Sequence, residues 1–122
     1  YLNKFMNIFL IAVGGAVGSI ARYLINELFT KHIPTEYPLS ILFINILGCF
    51  LIGYYLGTNL IVKDSQYYLF VIGFLGSFTT MSAFTFQTIN MFNTNIYIAS
   101  SYIIATIILT IAATFYGASF SK

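Results

Sequence analysis

The sequence predicts an all-α membrane protein of four transmembrane helices, the third broken at mid-membrane. Three observations carry that expectation. Of 122 residues, 59% are apolar and only 7% are charged, where a soluble domain carries about 25% charged residues. No Asp, Glu, Lys or Arg falls between Glu36 and Lys63, nor between Asp64 and Lys122. The apolar sequence also divides into four pieces, near residues 5–28, 39–60, 66–92 and 95–119, each matching the roughly 20 residues a helix needs to cross about 30 Å of hydrocarbon. Residues 1–122 therefore read as one four-helix transmembrane domain.

Several function classes drop out on composition. Five Lys+Arg against three Asp+Glu give a formal charge of +2, too weak and dispersed for a nucleic-acid surface. One histidine (His32) and one cysteine (Cys49) leave no metal box, disulfide or catalytic triad, so no enzyme is expected.

The first piece follows Lys4, as a signal peptide would. Its apolar run continues through Tyr23, Leu24 and Ile25 without a convincing cleavage site, so it reads as a span. Gly14 and Gly18 lie four apart and offer a close-packing face. Arg22 is a fixed positive charge near the end of the span; it either snorkels or pairs with Glu27, or it concentrates anions at a vestibule. The separator TKHIPTEYP (30–38) holds Pro34 and Pro38, where missing amide donors do no harm. His32 reads as solvated, and Glu36 and Asp64 as interface residues.

The second piece carries a lone Asn45, either interhelical glue or a ligand to something passing. Gly48 follows, Gly53 and Gly57 form a GxxxG pair, and Cys49 reads as a small apolar filler. The third piece is the most polar, with Ser77, Thr79, Thr80, Ser82, Thr85, Gln87, Thr88 and Asn90 between Gly73 and Asn90. Gly73, Gly76, Ser77 and the two threonines weaken the helix at its middle. A break there frees carbonyls, which lipid tolerates only where they line a cavity or hold an ion; the alternative is an unbroken helix whose hydroxyls bond back to it. Met81, Phe84 and Thr88 share one face beyond it, and the positively polarised edge of the Phe84 ring favours an anion if it faces a polar path. The fourth piece spaces Tyr102, Thr106, Thr110 and Thr114 four apart. This ladder is either a rail of donors replacing water around a small anion or ordinary backbone bonding.

Lys4, Lys63 and Lys122 fall on one side of a four-span topology, with Lys31, or Lys31 and Arg22, on the other. That difference barely fixes an orientation, so insertion both ways round is admissible. Polar stripes on three spans exceed what one bundle buries, so self-association is expected.

Taken together, GGAVGSIARY (14–23), PLSILFINILGCFLIG (38–53), GFLGSFTTMSAF (73–84) and the Tyr/Thr ladder resemble the Fluc/CrcB family of fluoride channels. The resemblance implies passive fluoride export across a bacterial plasma membrane by an antiparallel, dual-topology homodimer with two pores between subunits. It further implies that Asn45 and Phe84 line a pore, with Ser82, Tyr102, Thr106 and Thr110 on its polar track and Arg22 at the vestibule. The main-chain carbonyls of Gly76 and Thr79 would hold a structural sodium ion on the dimer axis. Three positions depart from the family pattern: Met81 replaces the first pore phenylalanine, Gln87 a common Glu, and Ile41 a Thr. Two other readings compete with it. A small multidrug-type proton-coupled exporter would need a membrane carboxylate, for which Glu27 is the nearest, and a non-transporting subunit would use its glycine faces to join a larger complex.

Overall fold

A computed structural model describes residues 2–35, 37–57 and 61–121. Four helices in it are long and apolar enough to cross a membrane: Asn3–His32, Leu39–Leu56, Tyr67–Phe92 and Ile96–Phe120. The chain is a multi-pass membrane protein.

Helix α1 (Leu2–His32) outruns its expected end, placing Lys31 and His32 in the last turn, where cations complement the helix dipole. Pro34 then disfavours helical geometry at Ile33. Helix α2 (Leu39–Leu56) begins just past Pro38. It ends when Gly57 adopts φ 59° and its N–H bonds the Gly53 carbonyl at 2.7 Å, a positive φ that glycine adopts without strain. Of the expected Gly53/Gly57 pair, Gly57 caps the helix and Gly53 packs closely against α5. Glu36, residues 58–60 and Lys122, which entered the reading of the separators and of topology, lie outside the described residues.

The third span is two helices. Helix α3 winds as a π-helix over Tyr67–Leu75, with the Gly76 N–H reaching back to the Val71 carbonyl, and continues as a single α-turn over Gly76–Phe78. Thr79 and Thr80 are extended, at φ −77°, ψ 158° and φ −149°, ψ 115°. Helix α4 (Met81–Phe92) resumes beyond them. The break is where the sequence suggested, but Gly73, Gly76 and Ser77 all remain helical. The two β-branched threonines leave the helix, in keeping with their preference for extended backbone. Helix α5 (Ile96–Phe120) starts at Asn95, whose side chain accepts from the Tyr97 and Ile98 amides at 2.9 and 3.4 Å, satisfying two of the unpaired donors of a first turn.

Two helix pairs dominate the packing, α1 with α3 and α2 with α5, and α4 leans on α5. Glycine sets both contacts. A Cβ on Gly14 or Gly18 would run into the α3 backbone at Leu69 and Phe74, and one on Gly73 would meet Gly14 Cα at 3.0 Å. In the second pair a Cβ on Gly53 would strike the Thr114 carbonyl, and one on Gly117 the Phe50 carbonyl. A small core of Leu42, Met91, Ala99 and Tyr102, with Tyr37, Ile46 and Phe84 against it, ties α2, α4 and α5 together.

Little else is covered. In the most apolar stretch of each span between 11% and 33% of residues are buried within the chain, so lipid or another subunit must cover the remainder. Gly18→Ala is expected to lower stability by about 1–3 kcal/mol, the usual cost of overpacking. Gly76→Ala, whose Cβ would find nothing closer than the Val71 carbonyl at 3.7 Å, should change it by less than about 1 kcal/mol. Unfolding of the detergent-solubilised variants, followed by circular dichroism, checks the contrast.

Candidate functional site

Breaking a helix inside lipid leaves backbone groups that must find other partners. Asn45, only 7% exposed, supplies them from α2. Its Oδ1 accepts the Thr80 N–H at 2.9 Å and its Nδ2 donates to the Thr80 carbonyl at 3.2 Å. Both polar backbone groups of one residue are thereby paired by a single side chain. One turn along α2, Gly48 leaves the space that the Thr79 methyl occupies. Thr80 in turn caps α4, its Oγ1 accepting the Ala83 N–H at 3.1 Å and lying 3.2 Å from Ser82 Oγ.

These side-chain bonds divert two amides from the carbonyls they would pair with in a continuous helix. Thr80 N–H would serve Gly76 and Ala83 N–H would serve Thr79, each four residues back. Among the described residues no backbone or side-chain donor bonds the Gly76 or Thr79 carbonyl across the break. Both residues line a cleft of about 330 Å³ beside the break.

The cleft also carries Asn45, Gly48, Cys49 and Ile52 of α2, Val71 and Leu75 of α3, Thr80, Met81 and Phe84, and Thr106 and Thr110 of α5. None of these residues is charged. Polarity comes from neutral donors, and their protons can be traced. Asn45 has a second N–H beyond the one given to Thr80. Thr106 Oγ1 is buried with no hydrogen-bond partner, so its proton is uncommitted. Thr110 and Thr114 donate to the carbonyls of Thr106 and Thr110; a hydroxyl has one proton, and theirs are spent. The Tyr102 hydroxyl is likewise buried and unpartnered, and its ring lies 5.2 Å from that of Phe84, centroid to centroid.

Seven of the expected residues therefore meet at one wall: Asn45, Gly76, Thr79, Met81, Phe84, Thr106 and Thr110. Three do not. Tyr102 is fully buried behind Phe84 in the core, Ser82 is exposed beside the Thr80 cap, and Arg22 is half-buried on α1. Arg22 precedes Asn26 by one helical turn, and Asn26 opens onto a separate, polar depression of about 720 Å³ with Thr30, Thr35, Tyr37, Ser40, Ile41 and Gln87. Ser40 donates to Asn26 Oδ1 there at 2.6 Å. Two of the departures from the family pattern, Ile41 and Gln87, face this depression, while Met81, 71% exposed, faces the cleft. Glu27 is exposed on α1 and lines neither.

Thr80 and Cys49 were not singled out as site residues from sequence. Thr80 had a signal, because a threonine just before a helical run is an N-cap candidate. Cys49 had one as well, four residues from Asn45 on the same helix face.

Residues 9–118 match the family model described as CrcB-like protein, Camphor Resistance (CrcB). The chain belongs to the CrcB family. Among relatives within reach of the CrcB chain is the fluoride-specific ion channel FluC of Thermosipho melanesiensis, 36% identical over 116 residues that cover 92% of this chain and 93% of the relative. Fluoride-specific ion channel FluC 2 of Bacillus cereus is 39% identical over 113 residues, covering 92% and 94%. The FluC protein of Haemophilus ducreyi is 39% identical over 111 residues, covering 87% of each.

Asn45→Leu strips the partner from the buried Thr80 amide, while the Thr80 carbonyl, as the N-cap of α4, keeps the first intrahelical bond. A loss of about 1–3 kcal/mol, the cost of one buried group deprived of its partner, is expected in equilibrium unfolding. An effect below about 0.5 kcal/mol would show that the break holds without this clamp.

Proposed function

We propose that the chain is a fluoride-selective channel that lets the ion pass down its gradient, working as an antiparallel, dual-topology homodimer in the plasma membrane. The single observation that carries this reading is the cleft at the break, whose polarity is entirely neutral and includes protons not committed elsewhere. Kinship with proteins named fluoride-specific ion channels supports it.

Fluoride is small and holds water tightly, so a path for it must replace hydration without trapping the ion. Asn45 Nδ2 and Thr106 Oγ1 offer N–H and O–H donors, and the rim of Phe84 adds the positive edge of an aromatic ring. None carries a full charge to hold the ion in place. Tyr102, whose hydroxyl is also uncommitted, lies directly behind Phe84 on the same track, and Ser82 and Thr110 flank it. Met81 keeps bulk at the remaining corner but supplies no ring edge. Arg22, one helical turn before Asn26 on α1, raises the local concentration of anions.

A second, inverted copy closes each cleft and gives two pores. The sparse burial of the spans supports such an assembly. The bare carbonyls of Gly76 and Thr79 are hard oxygen donors, which suits an alkali cation better than a transition metal. With the same two carbonyls from the second copy they would hold a sodium ion whose charge is structural, tying the subunits and biasing the field toward anions.

Passive efflux from proteoliposomes tests the reading. Fluoride should leave rapidly, chloride little, with no requirement for ATP or a proton gradient; equal loss of both halides would refute selectivity. Phe84→Ile should slow fluoride efflux strongly while leaving a folded dimer. Thr106→Val, which removes an uncommitted proton, should slow it by about tenfold or more, and Thr114→Val, whose proton already serves the backbone, by less than about twofold. Equal effects of the two valine substitutions would remove Thr106 from the path.

A further inference from the structure

Two side-chain oxygens keep the helix break open in a specific way. Asn45 Oδ1 takes the Thr80 N–H at 2.9 Å and Thr80 Oγ1 takes the Ala83 N–H at 3.1 Å. Counted along a helical ladder, those amides are the natural partners of the Gly76 and Thr79 carbonyls. Extended geometry at Thr79 and Thr80 could have been stabilised by capping elsewhere, yet the two diverted amides match the two carbonyls at the cleft. We infer that Asn45 and Thr80 are positioning residues for the cation site, their side-chain oxygens acting as substitute acceptors that leave the Gly76 and Thr79 carbonyls bare for a monovalent cation. The inference rests on the sodium site proposed above and adds residues that never touch the ion.

Its physical basis is competition. An amide inside the membrane cannot remain unpaired, so removing either substitute acceptor sends the amide back to the carbonyl it would serve in a helix. That carbonyl then has a hydrogen bond to lose before it can coordinate a cation. Thr80 is the cleaner probe, because Asn45 also lines the proposed fluoride path. Valine matches threonine in shape and lacks the acceptor oxygen; serine keeps the oxygen and loses only a methyl.

The experiment compares the purified full chain with Thr80→Val and Thr80→Ser, measuring apparent melting temperature across a titration of NaCl against N-methylglucamine chloride, together with equilibrium binding of radioactive sodium. A merely structural defect lowers the melting temperature equally in both salts, so the sodium-dependent increment is the diagnostic quantity. Wild type and Thr80→Ser should share one half-effective sodium concentration to within about twofold, while Thr80→Val should need about tenfold more sodium. Should Thr80→Val fail to fold, Thr80→Ala takes its place with the same expectation. A wild-type sodium response in the valine or alanine variant overturns the inference, as does a serine variant as impaired as valine, or a wild-type protein indifferent to sodium. Fluoride efflux of the wild type, measured alongside, separates the two readings: absence of fluoride selectivity with an intact sodium response to Thr80 substitution removes the channel function and leaves the positioning role.

Discussion

Hydrocarbon offers backbone amides no water to bond, and this requirement governs the molecule. Three of the four spans meet it by remaining helical. The third does not, and the arrangement around it follows from that departure. Asn45 in the middle of a largely apolar α2, Thr80 as a cap within the membrane, and Gly48 shaped for the Thr79 methyl all serve one interrupted turn. Were that turn continuous, Asn45 would be a costly polar group with no evident partner on α3.

The glycine contacts solve a different problem. Lipid gives helices no hydrophobic reason to associate, so they gain from close approach and dispersion. Gly14, Gly18 and Gly73 join α1 to α3, while Gly53 and Gly117 join α2 to α5. The cleft lies along the line where these two tightly joined pairs meet, lined by α2 and α5 on one side and α3 on the other. Rigid walls and an uncharged interior thus arise from separate sets of residues.

Much of this was legible in the sequence, because membrane spans declare themselves by length and lack of charge, and because polar residues in such spans are few enough to interpret singly. The helix boundaries at Pro38 and Asn95 and the packing role of Gly14 and Gly18 follow from local chemistry. Tertiary pairing was not legible. Nothing in the pattern tells that Asn45 spends its oxygen on Thr80, that Gly57 turns left-handed while Gly53 packs, or that Tyr102 faces inward while Thr106 reaches the cleft. The i+4 spacing of the α5 ladder placed four hydroxyls near one another; which protons remain uncommitted depends on rotamers that spacing leaves open.

That division of the α5 hydroxyls polarises the helix along its length. Toward the Tyr102 end stand unspent protons, which welcome negative charge; toward Thr114 the hydroxyls present only lone pairs, which repel it. Within a single copy, α5 therefore offers different chemistry at its two ends. In a second copy set head to tail the same slope would simply run the opposite way.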